Sequence, residues 1–192
     1  MKGKGENAVY IALYVDDLFM VGVKLVNIQE VKEGLSKEFK MKDLGEAKFL
    51  LGIEIRRQEG GDVLLVQERY ARDVLSRFSM VGCKVLSTPM ELGCHLALSQ
   101  QPVTDVDINQ MVDIPYRSAI GSLMYLSTCI RPDIAAAVSE LSKFSQNPGV
   151  AHWEGVKRVF TICEWDCRRG LAVQEGSSGR SMGIFRFRSC RG

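Results

Sequence analysis

No stretch of this 192-residue chain approaches the roughly 18 to 20 consecutive apolar residues of a membrane span. No apolar segment follows the two lysines of "MKGKGENAVY", so the N-terminus does not read as a signal peptide. No pair of the six cysteines makes a C-x-x-C. Cys94 and His95 are adjacent and Cys163 and Cys167 lie four apart, but neither is followed by a second half of a zinc site. The cysteines therefore read as reduced, mostly structural thiols in an intracellular setting. Excess charge is lacking too, and a formal net charge of +2 points to no partner in particular. One absence is local. The last 32 residues, 161–192, hold six Arg and no Lys, whereas residues 1–160 hold eleven Lys and eight Arg.

What is present is a 46% apolar composition, enough for a core, in a length that suits one domain or two small ones. "NAVYIALYV" and "LFMVGVKLV" are apolar, β-branched and aromatic runs of strand length. Asp16 and Asp17 lie between them and predict a hairpin with an acidic two-residue joint. "NIQEVKEGLSKEFKM" places Ile28, Val31, Leu35 and Phe39 at helical spacing, with Asn27 as a candidate N-cap. "KFLLGIEIRRQEGGDVLLVQ" predicts strand, turn and strand, with the joint at Gly60, Gly61 and Asp62. Gly52, inside the first of these strands, suggests a bulge or a close backbone approach. "ERYARDVLSRFSM" predicts a helix with Tyr70, Val74 and Phe78 on one face, ended by Gly82. Residues 83–115 are punctuated by Pro89, Pro102 and Pro115 and read as an irregular connector. Three helices follow. The first has Tyr116, Ile120, Leu123 and Met124 on its apolar face. The second has Pro132 at its first turn, and the third sets Trp153, Val156 and Phe160 in register. The first half is thus α+β and residues 116–160 are helical.

Two neighbouring carboxylates repel each other, and at a buried site one would tend to stay protonated. A divalent cation reverses this, because its charge inverts the local logic. Mg²⁺ takes oxygen ligands, typically one or two carboxylates plus substrate phosphates. A hairpin tip is a rigid platform for such an ion, and pairs of ions support phosphoryl transfer. Solvated turn residues are the other reading of two adjacent Asp. The apolar Tyr14 and Val15 before them, and the apolar strand after them, favour the platform.

At these residues the chain resembles a family. "YVDDLFMVG" is similar to the signature hairpin of reverse transcriptases, and the motifs downstream resemble the Pol polyprotein of copia-type (pseudovirus) retrotransposons. Those motifs are "FKMKDLGEAKFLLGIEI", "LLVQERYARDVLSRFSM", "STPM", "PYRSAIGSLMYLSTCIRPDIAAAVSELSKFSQNP" and "HWEGVKRV", in that order from about Val9 to Phe160. The resemblance implies template-directed addition of deoxynucleotides to a primer. It implies an α+β fold, with a partial palm of antiparallel hairpins and packed helices followed by a helical thumb and connection segment. Asp16 and Asp17 would be catalytic and would hold Mg²⁺, two ions in the intact enzyme. Tyr14 and Val15 would lie near primer and nucleotide, and Gly52, Ile53 and Glu54 would be primer-grip-like. Arg131, Lys157 and Arg158 would be candidate phosphate contacts. An RNA or DNA template-primer and dNTPs would be the partners, with no membrane, and cytoplasmic virus-like particles would be the place. An unrelated α+β metal-binding or interaction domain is the reading left if the ordered motifs are coincidence.

The resemblance also sets limits. The family's third palm carboxylate lies on an earlier strand, and Met1 stands only fifteen residues before Asp16. The chain by itself is therefore expected to be inactive. After Phe160 the family continues with a Y-L-[KR]-G-T stretch, whereas this chain reads "KRVFTICEWDC". Codons for Thr161 to Glu164, read two bases later, can spell Tyr-Leu-Arg before the fit lapses. Residues 161–192 are expected to be out-of-frame coding or a disordered tail. The expected organisation is a partial palm at 1–82, a connector at 83–115, a helical segment at 116–160 and the tail.

Overall fold

The computed structural model describes residues 7–58, 62–91, 93, 96–165, 170–173 and 183–189. The chain divides into two units. One comprises residues 1–65 and 172–192 and the other residues 66–171. Among the described residues no helix is long and apolar enough to cross a membrane.

The first unit is built on two antiparallel hairpins and one helix. β1 (Val9–Tyr14) and β2 (Asp17–Gly22) form the first hairpin, and α1 (Leu25–Glu38) follows. Next come β3 (Met41–Glu46), the two-residue β4 (Phe49–Leu50), β5 (Ile53–Arg57) and β6 (Val63–Val66). The chain returns with β7 (Gly170–Val173) and β8 (Gly183–Ser189). One sheet has the order β1-β2-β8-β3 and the other β4-β5-β6-β7.

Side chains alternate across a strand, so β2 serves two cores. Met20 packs with Val9, Ile28 of α1 and Phe187 of β8 on one face. Phe19 packs with Ala47, Ile55 and Val63 on the other. In α1, Ile28 is buried as its spacing predicts, but Phe39 caps the end of the helix and is 60% exposed. Lys32 is buried instead, its ammonium 2.8 Å from Asp43 and over the ring of Phe185 at 4.3 Å. Burial is tolerated because a carboxylate and an aromatic face replace the water. The N-cap is Lys24 rather than Asn27. Asn27 donates its amide to the Asn7 carbonyl instead, at 3.2 Å.

The expected strand through "KFLLGIEI" is broken by a turn. Leu50 pairs with Ile53, and Leu51 and Gly52 between them have φ of 49° and 81°. Two left-handed central residues make a type I′ turn, whose twist matches that of the flanking strands. Gly52 is therefore a turn residue and not a bulge. Of the Gly60-Gly61-Asp62 joint, residues 59–61 lie outside the described residues. The Gln58 amide donates to the Asp62 carbonyl at 2.8 Å across it.

The second unit is helical: α2 (Glu68–Arg77), α3 (Asp105–Met111), α4 (Tyr116–Cys129), α5 (Ala135–Ser142) and α6 (Val150–Trp165). α2 ends before Gly82. Ser79 is left-handed at φ 55°, its amide donates to Ser76 O, and the Met80 amide donates to Leu75 O. This is a Schellman stop with Ser in the place glycine usually takes. One core joins Ala71, Val74 and Leu75 of α2 to the apolar faces of α4, α5 and α6. Phe78 stacks on the fully buried Phe160 at 5.1 Å. Tyr116, Ile120 and Leu123 face inward as expected, whereas Met124 is 49% exposed. The Tyr116 hydroxyl donates to the Leu141 carbonyl at 2.8 Å, and burial pushes its phenol well above the ordinary value.

Residues 66–82 thus belong with the helices. The stretch 83–115 does not run loose between units either, since Leu86, Met90, Leu96 and Ile114 pack against the helical core. Part of it is also regular. Thr104 Oγ1 accepts from the Asp107 amide, and the Asp107 carboxylate accepts from the Thr104 amide. This reciprocal capping box starts α3 in a segment that composition alone marks as loop. Hydrogen bonds from Thr104 hold the Asp107 carboxyl below its usual value.

The described part of the 161–192 tail is regular. Residues 161–165 continue α6, and residues 170–173 and 183–189 are strands. β8 lies between β2 and β3 as an interior strand.

Candidate functional site

The β1–β2 hairpin pairs Leu13 with Leu18 and Tyr14 with Asp17. The two-residue joint is therefore Val15-Asp16, one residue earlier than the Asp16-Asp17 joint expected. Asp17 is the first residue of β2. Strand pairing sets this register, because a slip of one would move Phe19 and Met20 to the wrong cores. Of the two central residues only Val15 has a positive φ, 53°, the pattern of a type II′ turn. A β-branched residue is an outlier there. Strain of this kind costs about 1–3 kcal/mol and persists where the surroundings over-determine it, often at functional sites. Tyr14 and Val15 are 55% and 71% exposed, and Asp16 and Asp17 are half-buried.

Asp17 has a cationic partner. Arg186 Nη2 of β8 lies 2.6 Å from Asp17 Oδ2. In the ladder, Phe19 stands opposite Arg186 and Asp17 opposite Arg188. Arg186 is thus the diagonal neighbour of Asp17 on the same face, and its guanidinium lies 5.8 Å from the Phe19 ring.

The second hairpin carries Gly52, Ile53 and Glu54. Gly52 is exposed at the turn, and Glu54 in β5 holds Arg56 at 2.7 Å. The two hairpins share a core, since Leu50 and Ile55 pack in the cluster that contains Phe19.

The three basic residues lie in the helical unit. Arg131 is 4% exposed and meets Asp133 through Nε at 2.9 Å and Nη2 at 2.8 Å. A guanidinium engaged in this way is held by its neighbours in the helical unit. Lys157 pairs with Glu154 one helical turn before it. Arg158 donates from Nε to the Thr88 carbonyl at 3.0 Å and from Nη2 to the Thr88 hydroxyl at 2.9 Å. It holds the 83–91 segment onto α6. Lys157 and Arg158 also line a cleft of about 400 Å³ with Leu86, Met90, Leu96 and Leu141.

A Mg²⁺ ion needs several oxygen ligands in near-octahedral geometry. Among the described residues no three His, Cys, Asp or Glu side chains gather where they could hold a metal. Asp16 and Asp17 alone, with a guanidinium on Asp17, do not make a complete site. Cys83, Cys129 and Cys163 are thiols, and Cys94, His95, Cys167 and Cys190 lie outside the described residues.

Two functional-looking groups escaped the sequence reading. Arg186 lies in the tail read as aperiodic, yet "IFRFR" alternates apolar and basic residues with the period of a strand. His152, from the "HW" motif, is fully buried and accepts from the Gly149 amide on Nδ1 at 2.8 Å. It takes the place that Glu or Gln holds in a capping box and starts α6. Burial pushes its imidazole below the usual value, a Phe144 ring stacks on it at 4.0 Å, and no ligand role follows.

A hairpin presents adjacent acids at a strained tip, and a second tight hairpin packs beside it. Residues 1–92 match the family described as "Reverse transcriptase (RNA-dependent DNA polymerase)". The chain is 47% identical over 158 residues to the retrovirus-related Pol polyprotein from transposon TNT 1-94 of Nicotiana tabacum. That match covers 81% of the chain and 12% of the relative. It is 34% identical over 176 residues to the Pol polyprotein from transposon RE1 of Arabidopsis thaliana, covering 91% of the chain and 11% of the relative. An uncharacterized mitochondrial protein of Arabidopsis thaliana is 33% identical over 168 residues, which are 88% of the chain and 66% of that protein. The chain thus spans only about 12% of the first Pol polyprotein it matches. No solved structure matches it. The chain belongs to the Pol polyproteins of copia-type retrotransposons and carries sequence of their reverse transcriptase domain.

Proposed function

We propose that this segment supplies the acidic hairpin of an RNA-directed DNA polymerase. In the intact polyprotein the reaction is template-directed deoxynucleotide addition by two-metal phosphoryl transfer. The observation that carries the reading is the hairpin tip. Val15 is held left-handed beside Asp16 and Asp17, on strands whose register is set by two cores. In this reading the sheet unit is part of the palm and α4 to α6 belong to thumb and connection. Tyr14 and Val15 adjoin the primer end and the incoming nucleotide. The β4–β5 tip at Gly52 approaches the primer backbone, which a residue without Cβ allows. Template-primer and dNTP are the partners, and cytoplasmic virus-like particles are the setting.

The chain by itself is read as catalytically inactive. Two acids, one of them already paired with Arg186, are too few ligands, and a net charge of −1 over residues 1–160 is a poor footprint for nucleic acid. A remnant with at most weak nucleic-acid binding is therefore the second reading. Primer extension by the purified chain, on an RNA template with a DNA primer, dNTPs and Mg²⁺, tests both. No extended product is expected. Extension that Asp16→Asn abolishes would overturn the inactive reading.

We also keep the proposal that residues 161–192 are coded out of the family's frame, on the Lys-to-Arg switch and the Tyr-Leu-Arg spelling. The coding DNA decides this. If no other frame after Phe160 encodes a Y-L-[KR]-G-T stretch, the proposal is wrong.

A further inference from the structure

We propose that strand β8 closes the acidic hairpin in this chain, with Arg186 serving as the counter-cation of Asp17 in place of a divalent metal ion. This rests on the reading of Asp16 and Asp17 as a cation platform.

Adjacent carboxylates call for a positive charge nearby. Here a guanidinium supplies it through a charge-assisted contact of 2.6 Å. The ladder fixes its position. With Phe19 opposite Arg186, the side chain can only run along the face that carries Asp17, and the Phe19 ring lies beneath it. The opposite face locks the register, because Phe187 packs with Met20, Val9 and Ile28. Lys32 adds its ammonium over the Phe185 ring.

β8 is bonded on both sides, to β2 over Asp17–Gly22 and to β3 from Met41. Its seating has two effects. The guanidinium occupies Asp17 Oδ2, a position a metal would need. The ladder also uses the second edge of β2, so no other strand can pair there while β8 is seated. Exchanging Arg186 for a metal ion would leave a half-buried guanidinium without its carboxylate, and that opposes the exchange.

Mn²⁺ is the probe, read by paramagnetic broadening of the Asp16 and Asp17 backbone amides in NMR spectra of the full chain. The native chain is expected to need about tenfold more Mn²⁺ than Arg186→Gln for equal broadening. Adding Asp17→Asn to Arg186→Gln should remove the gain. A cross-link between Val21→Cys and Ile184→Cys, partners in the ladder, reports the seating of β8 with Arg186 intact. The disulfide is expected to form, and its absence overturns the proposal. If the native chain binds Mn²⁺ as tightly as Arg186→Gln, the platform reading stands and this proposal alone falls. If no variant binds, both fall.

Discussion

The helical unit buries its apolar residues in one continuous core, with α2, α4, α5 and α6 each giving one face. The sheet unit divides its burial between two small clusters on opposite faces of β2 and leaves much of β1 uncovered. Tyr10, Ile11, Leu13 and Tyr14 are all at least 40% exposed. Backbone strain divides unevenly too. The sheet unit holds Val15 and Leu51 left-handed at its two hairpin tips, whereas the helical unit uses Ser79 only to end a helix. Two polar groups buried among the helices are satisfied by near neighbours in sequence, Arg131 by Asp133 and His152 Nδ1 by the Gly149 amide. In the sheet unit the key pair, Asp17–Arg186, joins residues 169 apart in sequence. The helical core is drawn from one uninterrupted span of chain, residues 66–171, but the acidic hairpin of this chain is completed by its tail.

Removing the centre of the helical core tests the first half of that contrast. Phe160→Ala deletes a fully buried ring stacked on Phe78 and should cost about 3–5 kcal/mol. Urea unfolding followed by helical circular dichroism measures it. A loss below about 1 kcal/mol would mean that the core is not continuous through α6.

The hairpin tips give a smaller effect of either sign. Gly52→Ala puts a Cβ at φ 81° and should destabilise the sheet unit by about 1–2 kcal/mol. Val15→Gly removes the left-handed penalty on a β-branched residue and should stabilise it by up to about 1 kcal/mol, less the entropy glycine restores to the unfolded chain. Amide exchange in β2 and β5 reports both. The same sign from both variants would contradict the turn assignments.

The smallest effect is a pH dependence of the helical unit. His152 is neutral when folded, because Nδ1 must accept from Gly149, and burial lowers its value below the unfolded one of about 6.5. The unfolded chain therefore binds the proton more tightly. The His152 contribution is complete above the unfolded value and is lost as pH falls through the folded one. The urea midpoint should drop as pH falls below about 6.5. His152→Gln, which can still accept from Gly149, should lack this component. An unchanged profile in that variant would assign the acid sensitivity to other groups.

The helices were legible because their apolar spacing repeats over several turns and survives without knowledge of the partner. Tyr116, Ile120 and Leu123 were read inward and are inward. Misreadings fell where one local signal had two uses. Gly52 was read as a bulge and is a turn residue, since a glycine serves both and only the pairing of Leu50 with Ile53 separates them. Asn27 suited a cap by type, but its amide found the Asn7 carbonyl instead. Asp16 and Asp17 were found by their apolar flanks, while the one-residue shift of the joint depended on which faces Phe19 and Met20 had to fill.

The sequence by itself determined that this chain is reverse-transcriptase material of the copia type, because ordered motifs and helical periods are local and read directly. It also determined the helices between residues 116 and 160, whose apolar spacing repeats within each element. The partner of Asp17 was decided only by tertiary structure. Arg186 carries no label as a counter-cation until β8 is laid beside β2 and the pleat turns its side chain towards the acid. Long-range pairing of strands sets such contacts, and pairing depends on register and edge availability that no local window contains.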